Sequence, residues 1–137
     1  MAQISELIRE ESDGTISFGD YTLAAKSKKE DFLHEGDVYK VKTFKEITKL
    51  ERNGMFVYES VPGTAVEHLN VSENEVSFSV SGWEDAQVTL ELEPETEYDI
   101  VVGGSDAGSM KTNLGGKLSL SVEINEGASV PVVVSRK

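Results

Sequence analysis

The sequence EVSFSVS at residues Glu75–Ser81 alternates without interruption between apolar and polar side chains. Successive side chains of an extended strand point to opposite faces, so Val76, Phe78 and Val80 share one face and the serines share the other. The sequence KLSLSV at Lys117–Val122 repeats this pattern. Because a 3.6-residue helical period is hard to find anywhere in the chain, the sequence predicts an all-β protein.

Two turn signals divide the first part of the chain into about five short strands. The dipeptides Asn-Gly at 53–54 and Asp-Gly at 13–14 both favour the positive φ angles of a two-residue hairpin turn. The sequence SVPGT at 60–64 interrupts the alternation and marks a junction. We therefore expect two modules, a small antiparallel β module over residues 1–62 and a β-sandwich module over residues 63–137.

The second module contains seven segments with the alternation of a strand, although residues 65–69 are also compatible with a short helical turn. One apolar face, one polar face and frequent turns are typical of an immunoglobulin- or fibronectin-like β-sandwich. We expect each module to bury its own core. Phe18 and Val41 belong to the first predicted core, and Phe78 and Leu120 belong to the second.

Strand pairing in the second module is predicted from neighbouring apolar runs. The segments 88–92 and 98–102 are expected to form a hairpin across the turn EPET, which places four acidic side chains on one outward face. These are Glu91, Glu93, Glu97 and Asp99. Like charges on neighbouring strands repel, so we expect either a fully solvated face or an offset by a lysine, a cation or a partner surface. Pro131 lacks a backbone N–H and predicts that the last strand lies at a sheet edge.

The chain of 137 residues carries 25 acidic and 13 basic residues, which give a formal net charge of −12. This excess repels phosphate backbones and anionic lipid headgroups, so we expect no nucleic-acid partner and no membrane-surface partner. Residues 63–137 hold 13 acidic and 4 basic residues, whereas residues 1–62 hold 12 and 9. The difference indicates two units with different surfaces.

Cysteine is absent, which excludes disulfides, thiolate metal ligands and cysteine nucleophiles. The first eleven residues show no basic start, apolar segment or cleavage site of a secretory signal, and no apolar run reaches membrane-spanning length. If Met1 is the natural start, we expect a cytoplasmic protein that does not insert into a membrane.

No group of residues has the spacing of a catalytic, metal or cofactor site. His34 and His68 lie in different predicted modules, and neither has neighbours with ligand-like spacing. The serines lack the G-x-S-x-G pattern of a nucleophile, and the glycine pairs lack the following helix and lysine of a phosphate-binding loop. We therefore expect a protein without enzymatic activity and without a cofactor.

Two aromatic groups are candidates for binding. Trp83 is the single tryptophan and precedes Glu84 and Asp85, so it forms either a sugar-stacking platform flanked by carboxylates or a cover over one end of the core. The segment that contains Phe56 and Tyr58 is apolar at both odd and even positions. That strand is either buried on both faces or presents the two aromatic side chains to a partner.

The sequences GMFVYESVPGTAV at 54–66 and MKTNLGGKLS at 110–119 carry a resemblance to a family. The chain resembles short, acidic, uncharacterised proteins of gut-dwelling Firmicutes, some of which are automatically labelled endosialidase. Sialidases resemble one another in an arginine triad and in recurring Asp boxes. Here the three arginines, Arg9, Arg52 and Arg136, are far apart and no Asp box is present, so the resemblance implies no catalytic residue.

Two functions from different classes remain. The first is a non-enzymatic structural protein that assembles into a homo-oligomer or filament through open strand edges and the strand of Phe56 and Tyr58. The alternative is a carbohydrate-binding accessory module that uses Trp83, Glu84 and Asp85.

Overall fold

A computed structural model describes residues 6–137, and within that range thirteen β-strands and no helix are present. The strands are β1 (Ile8–Glu10), β2 (Ile16–Phe18), β3 (Ser27–His34), β4 (Asp37–Phe44), β5 (Ile47–Arg52), β6 (Met55–Val61), β7 (Ala65–Val71), β8 (Glu75–Ser81), β9 (Ala86–Glu91), β10 (Glu97–Val102), β11 (Ser105–Lys111), β12 (Lys117–Val122) and β13 (Ser129–Arg136). The interpretation of the first eleven residues as lacking a secretory signal rests partly on residues 1–5, which lie outside the described range. In residues 6–137 no helix is long and apolar enough to cross a membrane.

The strands form two antiparallel sheets, which confirms the predicted all-β fold and is consistent with a β-sandwich. The seven-stranded sheet has the order β1-β2-β7-β8-β13-β10-β11, and the six-stranded sheet has the order β12-β9-β6-β5-β4-β3. Each sheet takes strands from both sides of residue 62. The division into modules at 1–62 and 63–137 is therefore wrong, because β2 pairs with β7 and β6 pairs with β9 across that point.

One hydrophobic core contains the apolar side chains of both predicted modules. Phe18 and Val41 belong to the same buried cluster as Phe78 and Leu120, so the expectation of two separate cores is wrong. The ring of Tyr58 packs edge-on against Phe18 at 5.3 Å and against Phe78 at 5.7 Å. The physical reason is that a sheet buries only the face that packs against another sheet, and each half of the chain contributes strands to both sheets.

Residues 62–64 form a tightly packed crossover between the two sheets. The N–H of Gly63 donates to the Lys45 carbonyl at 3.0 Å. A Cβ at Gly63 would lie 1.9 Å from the Phe44 carbonyl oxygen, and only glycine fits so close to another backbone. Thr64 is fully buried, and the strand β7 begins at the next residue rather than the short helical turn considered for residues 65–69.

The predicted hairpin of residues 88–92 and 98–102 is wrong, because β9 and β10 lie in different sheets. β9 pairs with β12 and β6, whereas β10 pairs with β11 and β13. The connection between them crosses from one sheet to the other, and the Glu93 N–H donates to the Tyr98 hydroxyl at 3.1 Å. Alternation correctly predicts the buried face of each strand, but it does not define which strands pair.

Pro131 lies in β13, an interior strand between β8 and β10, so the predicted edge position is wrong. The Pro131 carbonyl accepts a hydrogen bond from the N–H of Gly103 at 2.8 Å. The amide nitrogen and the carbonyl of one residue point to the same side of an antiparallel strand. The missing N–H of Pro131 therefore faces the point where β10 has already ended at Val102, and the interior position is tolerated.

Candidate functional site

The four acidic residues of the predicted acidic face do not share one sheet, since Glu91 lies in β9, Glu97 and Asp99 lie in β10 of the other sheet, and Glu93 lies in the connection between them. Glu93, Glu97 and Asp99 are exposed, as expected, whereas Glu91 is half-buried. Glu91 lies 3.6 Å from the ammonium group of Lys117 on the adjacent strand. At Glu91 the negative charge is therefore offset by a lysine of the adjacent strand, which is one of the alternatives that the sequence left open. Residues 6–137 contain no cluster of three or more histidine, aspartate or glutamate side chains that could hold a metal ion.

Tyr58 is not an exposed contact residue, which corrects the prediction of an exposed aromatic pair. Its side chain is fully buried, its hydroxyl lies 2.8 Å from Thr64 Oγ1, and burial raises the pKa of Tyr58 to about 12. Phe56 is half-buried on the outer face of the six-stranded sheet, where the Lys117 Nζ atom lies 4.5 Å from the ring centroid. A bulge at Val57 explains why neighbouring positions on both faces are apolar.

Trp83 is 42% exposed and packs edge-on against Tyr21 at 5.2 Å. With Glu84 and Pro62 it lines an open hollow at one end of the sandwich. Asp85 is exposed but does not belong to this hollow, because its carboxylate accepts the N–H of Ile124 at 2.9 Å. The structure therefore brings Trp83 and Glu84 together, whereas Asp85 hydrogen-bonds to the backbone of Ile124 and stabilises the segment that follows β12.

Asp13, Thr15 and His68 form an exposed cluster that the sequence interpretation missed. Asp13 and His68 are 55 residues apart, and only the pairing of β2 with β7 brings them together. Hydrogen bonds from Thr15 lower the pKa of Asp13 below its ordinary value. The Thr15 hydroxyl and the Asp13 carboxylate both lie 3.1 Å from Nδ1 of His68. A catalytic triad needs the hydroxyl and the acid on different ring nitrogens, so this cluster is not a nucleophile relay.

His34 is buried at the end of β3 and does not share a site with His68. Its Nδ1 atom lies 3.0 Å from a carboxylate oxygen of Glu10, at a distance typical of an ion pair but without hydrogen-bond alignment. Its ring packs edge-on against Tyr39 at 6.0 Å. The two histidines therefore stand in unrelated environments, as the sequence indicated.

The two sheets end in four edge strands, and three of these have a feature that hinders pairing with another chain. β1 has only three residues. β3 carries Lys28 and Lys29 and contains a bulge in which Asp31 has a φ of 59°. β11 also contains a bulge, which includes Gly108 with a φ of 93°. Short length, lysines and bulges are the usual protections of an edge. Strand β12 has six unbroken pairs with β9 and no bulge, and its one lysine, Lys117, lies at its first residue and is paired with Glu91.

The backbone of β12 leaves two residues with unpaired groups on the open side. The N–H of Leu92 donates to the Gly116 carbonyl at 2.7 Å, so even-numbered residues that follow Gly116 direct their backbone groups to β9. The backbone groups of Lys117 therefore face outwards, away from β9. The Lys117 N–H has a partner there, because it donates to Asn113 Oδ1 at 2.9 Å. The N–H and carbonyl groups of Ser119 and Ser121 then remain on the open edge.

Apolar side chains lie beside this open edge. Met110 on β11 is directly opposite the buried Tyr98, so it is on the inner face of its sheet, yet it is 40% exposed. Leu114, in the loop between β11 and β12, is 80% exposed. All seven residues of β11 are exposed, on both faces of the strand.

Comparisons with protein-family models, curated proteins and solved structures found no match.

Proposed function

We propose that this protein is non-enzymatic and acts through protein–protein contacts, and that it self-associates by strand addition at β12. The observation that supports the proposal is the pair of unpaired backbone positions, Ser119 and Ser121, on a regular edge that contains no bulge and carries no lysine beyond its first residue. Strand addition supplies main-chain hydrogen bonds to such an edge. The earlier expectation of assembly through Tyr58 is replaced, because that side chain lies in the core.

In a two-fold arrangement, a second copy of the same chain provides hydrogen-bond partners for the open edge of β12. In an antiparallel pair of β12 strands, Ser119 of one copy faces Ser121 of the other, and each such pair exchanges two hydrogen bonds. The contact therefore contains four hydrogen bonds, with Leu120 opposite its own counterpart on the inner face. The two six-stranded sheets would join into one continuous sheet.

The energetics favour a weak dimer. Four hydrogen bonds at roughly 1 kcal/mol each supply about 4 kcal/mol. Loss of translational and rotational freedom costs about 4 kcal/mol or more, so burial of Met110 and Leu114 must provide the surplus. The net charge of −12 opposes association at long range, and salt screens this repulsion. We expect a dimer that forms at high protein concentration and is strengthened by monovalent salt.

Sedimentation velocity over a range of concentrations tests the proposal with two matched variants. Ser119→Pro removes the outward N–H and the hydroxyl contact with Thr89 but no backbone hydrogen bond to β9, so it should stay monomeric while remaining folded. Ser119→Ala keeps the N–H and loses only the hydroxyl contact with Thr89, so it should dimerise like the native chain. A native chain that is monomeric at every concentration, or a dimer that survives Ser119→Pro, would contradict the proposal.

The alternative function, carbohydrate binding, is supported by the exposure of Trp83 beside Glu84 in the open hollow. An exposed indole face with a nearby carboxylate suits a sugar ring and its hydroxyls. Titration of Trp83 fluorescence with oligosaccharides tests this alternative, with Trp83→Ala as the control for loss of binding measured by calorimetry. Absence of binding across neutral and basic sugars would contradict it.

A further inference from the structure

A cleft of about 570 Å³ opens between the two sheets at the end of the sandwich opposite Trp83. It is bordered by the β5–β6 turn, the β7–β8 turn and the connection from β9 to β10. Its volume lies within the range of about 300–1,000 Å³ that is usual for ligand sites. No residue of β12 lines it.

The floor of the cleft is apolar, and part of its walls is apolar and exposed to solvent. Leu69, Val76 and Leu90 form the buried floor. Met55 and Val71 form part of the walls, and they are 63% and 41% exposed. Apolar side chains that line a concave opening favour a ligand with apolar groups, because burial removes their surface from water.

The mouth of the cleft is acidic. Five carboxylates line it against one base, Arg52. Glu91 is paired with Lys117, and Asp37 accepts a hydrogen bond from Asn53. The other three lie outside ion-pair distance of any lysine or arginine in residues 6–137. These are Glu73, Glu75 and Glu93. Unpaired carboxylates of this kind favour cationic ligands.

We propose that this cleft binds an extended peptide segment in which large apolar residues alternate with lysine or arginine. Alternation in an extended chain directs apolar side chains to one side and cations to the other. The unpaired acids come from two different connections, with Glu73 between β7 and β8 and Glu93 between β9 and β10. A peptide with several spaced cations offers partners to the carboxylates of both connections.

Isothermal titration calorimetry with the peptide acetyl-Leu-Lys-Leu-Lys-Leu-Lys-amide tests the proposal. The native chain should bind one peptide, and added sodium chloride should weaken the binding because it screens the carboxylates. The double variant Met55→Ser with Val71→Ser should weaken binding roughly tenfold through lost apolar contact. Glu73→Gln with Glu93→Gln should weaken it and reduce its salt dependence. Leu33→Ser and Glu126→Gln, at exposed positions that do not line the cleft, should leave it unchanged.

Several results would overturn the proposal. Equal affinity for acetyl-Ser-Lys-Ser-Lys-Ser-Lys-amide would show attraction by charge alone, and equal affinity for the leucine–glutamate peptide would show that the acidic mouth has no role. Absence of binding by the native chain, or equal loss in the Leu33→Ser control, would also overturn it. Binding of dodecylammonium at this cleft without binding of the peptide would assign the cleft to a small amphiphile instead.

Discussion

The hydroxyl of Tyr58 lies 2.8 Å from the side-chain oxygen of Thr64, in the interior of the protein. Tyr58 belongs to the six-stranded sheet, and Thr64 precedes the first residue of β7 in the seven-stranded sheet. Thr64 Oγ1 also lies 2.7 Å from Ser60 Oγ, and the Thr64 N–H donates to Thr48 Oγ1 at 3.0 Å. The segment that the sequence marks as a junction is therefore fixed to the core by buried hydrogen bonds.

Replacement of Thr64 by valine tests the contribution of these hydrogen bonds. Thr64→Val keeps the side-chain shape but leaves the buried hydroxyls of Tyr58 and Ser60 without their shared partner. We expect a loss of about 1–3 kcal/mol in the free energy of unfolding, measured by urea denaturation. The matched control is Thr89→Val, which loses one exposed hydrogen bond and should change stability by less than about 0.5 kcal/mol. Equal effects of the two substitutions would contradict the buried network.

The shared core predicts a single unfolding transition. Because Phe18 and Leu120 lie in one cluster, neither half of the chain can lose its packing while the other half keeps it. Far-ultraviolet circular dichroism, which reports strands, and Trp83 fluorescence should give the same denaturation midpoint. Two separated transitions would support independent modules at 1–62 and 63–137.

The raised pKa of Tyr58 predicts a loss of stability in alkali. Its pKa is about 12 in the folded protein, above the ordinary value of 10.0, so the unfolded chain ionises first as the pH rises. The contribution is fully present below pH 10 and is lost between the two values, with a maximum of about 3 kcal/mol. Urea denaturation at a series of alkaline pH values should show this loss in the native chain and a smaller one in Tyr58→Phe. Parallel curves for the two proteins would contradict the prediction.

The lowered pKa of Glu11 predicts a loss of stability in acid. A hydrogen bond from the Ser17 hydroxyl and a second from Arg9 lower the pKa of Glu11 below its ordinary value of 4.5. Its stabilising contribution is therefore present above pH 4.5 and is lost as the pH falls through the lower, folded value. Melting temperatures measured on acidification should fall less steeply for Glu11→Gln than for the native chain. Glu84→Gln, which removes an exposed acid elsewhere, should follow the native curve.

The sequence predicts the buried faces correctly because alternation is a local property. The expected inward residues Val76, Phe78 and Val80 are buried, and Asn53 and Gly54 have the positive φ angles of 53° and 79° that their turn requires. Strand pairing is not local, and so the hairpin of 88–92 with 98–102 was predicted wrongly. Each strand could bury the same face with several different neighbours.

The candidate sites depend on these non-local pairings. The open edge at Ser119 and Ser121 exists only because β9 takes β12 as its outer neighbour, which no pattern within residues 117–122 indicates. Tyr58 was placed on a surface because one bulge residue, Val57, made both faces look apolar. Trp83 was identified from the sequence, since finding a single tryptophan in a predicted turn does not require knowledge of the strand pairing.

The most direct test of self-association at β12 is the amide hydrogen exchange of Ser119 and Ser121, measured by nuclear magnetic resonance as the protein concentration is raised. If strands pair at this edge, both amides should exchange more slowly at high concentration. The Lys117 amide, which already donates to Asn113, should keep a constant rate and serves as the internal control. Fast exchange of Ser119 and Ser121 at every concentration would contradict the proposed contact.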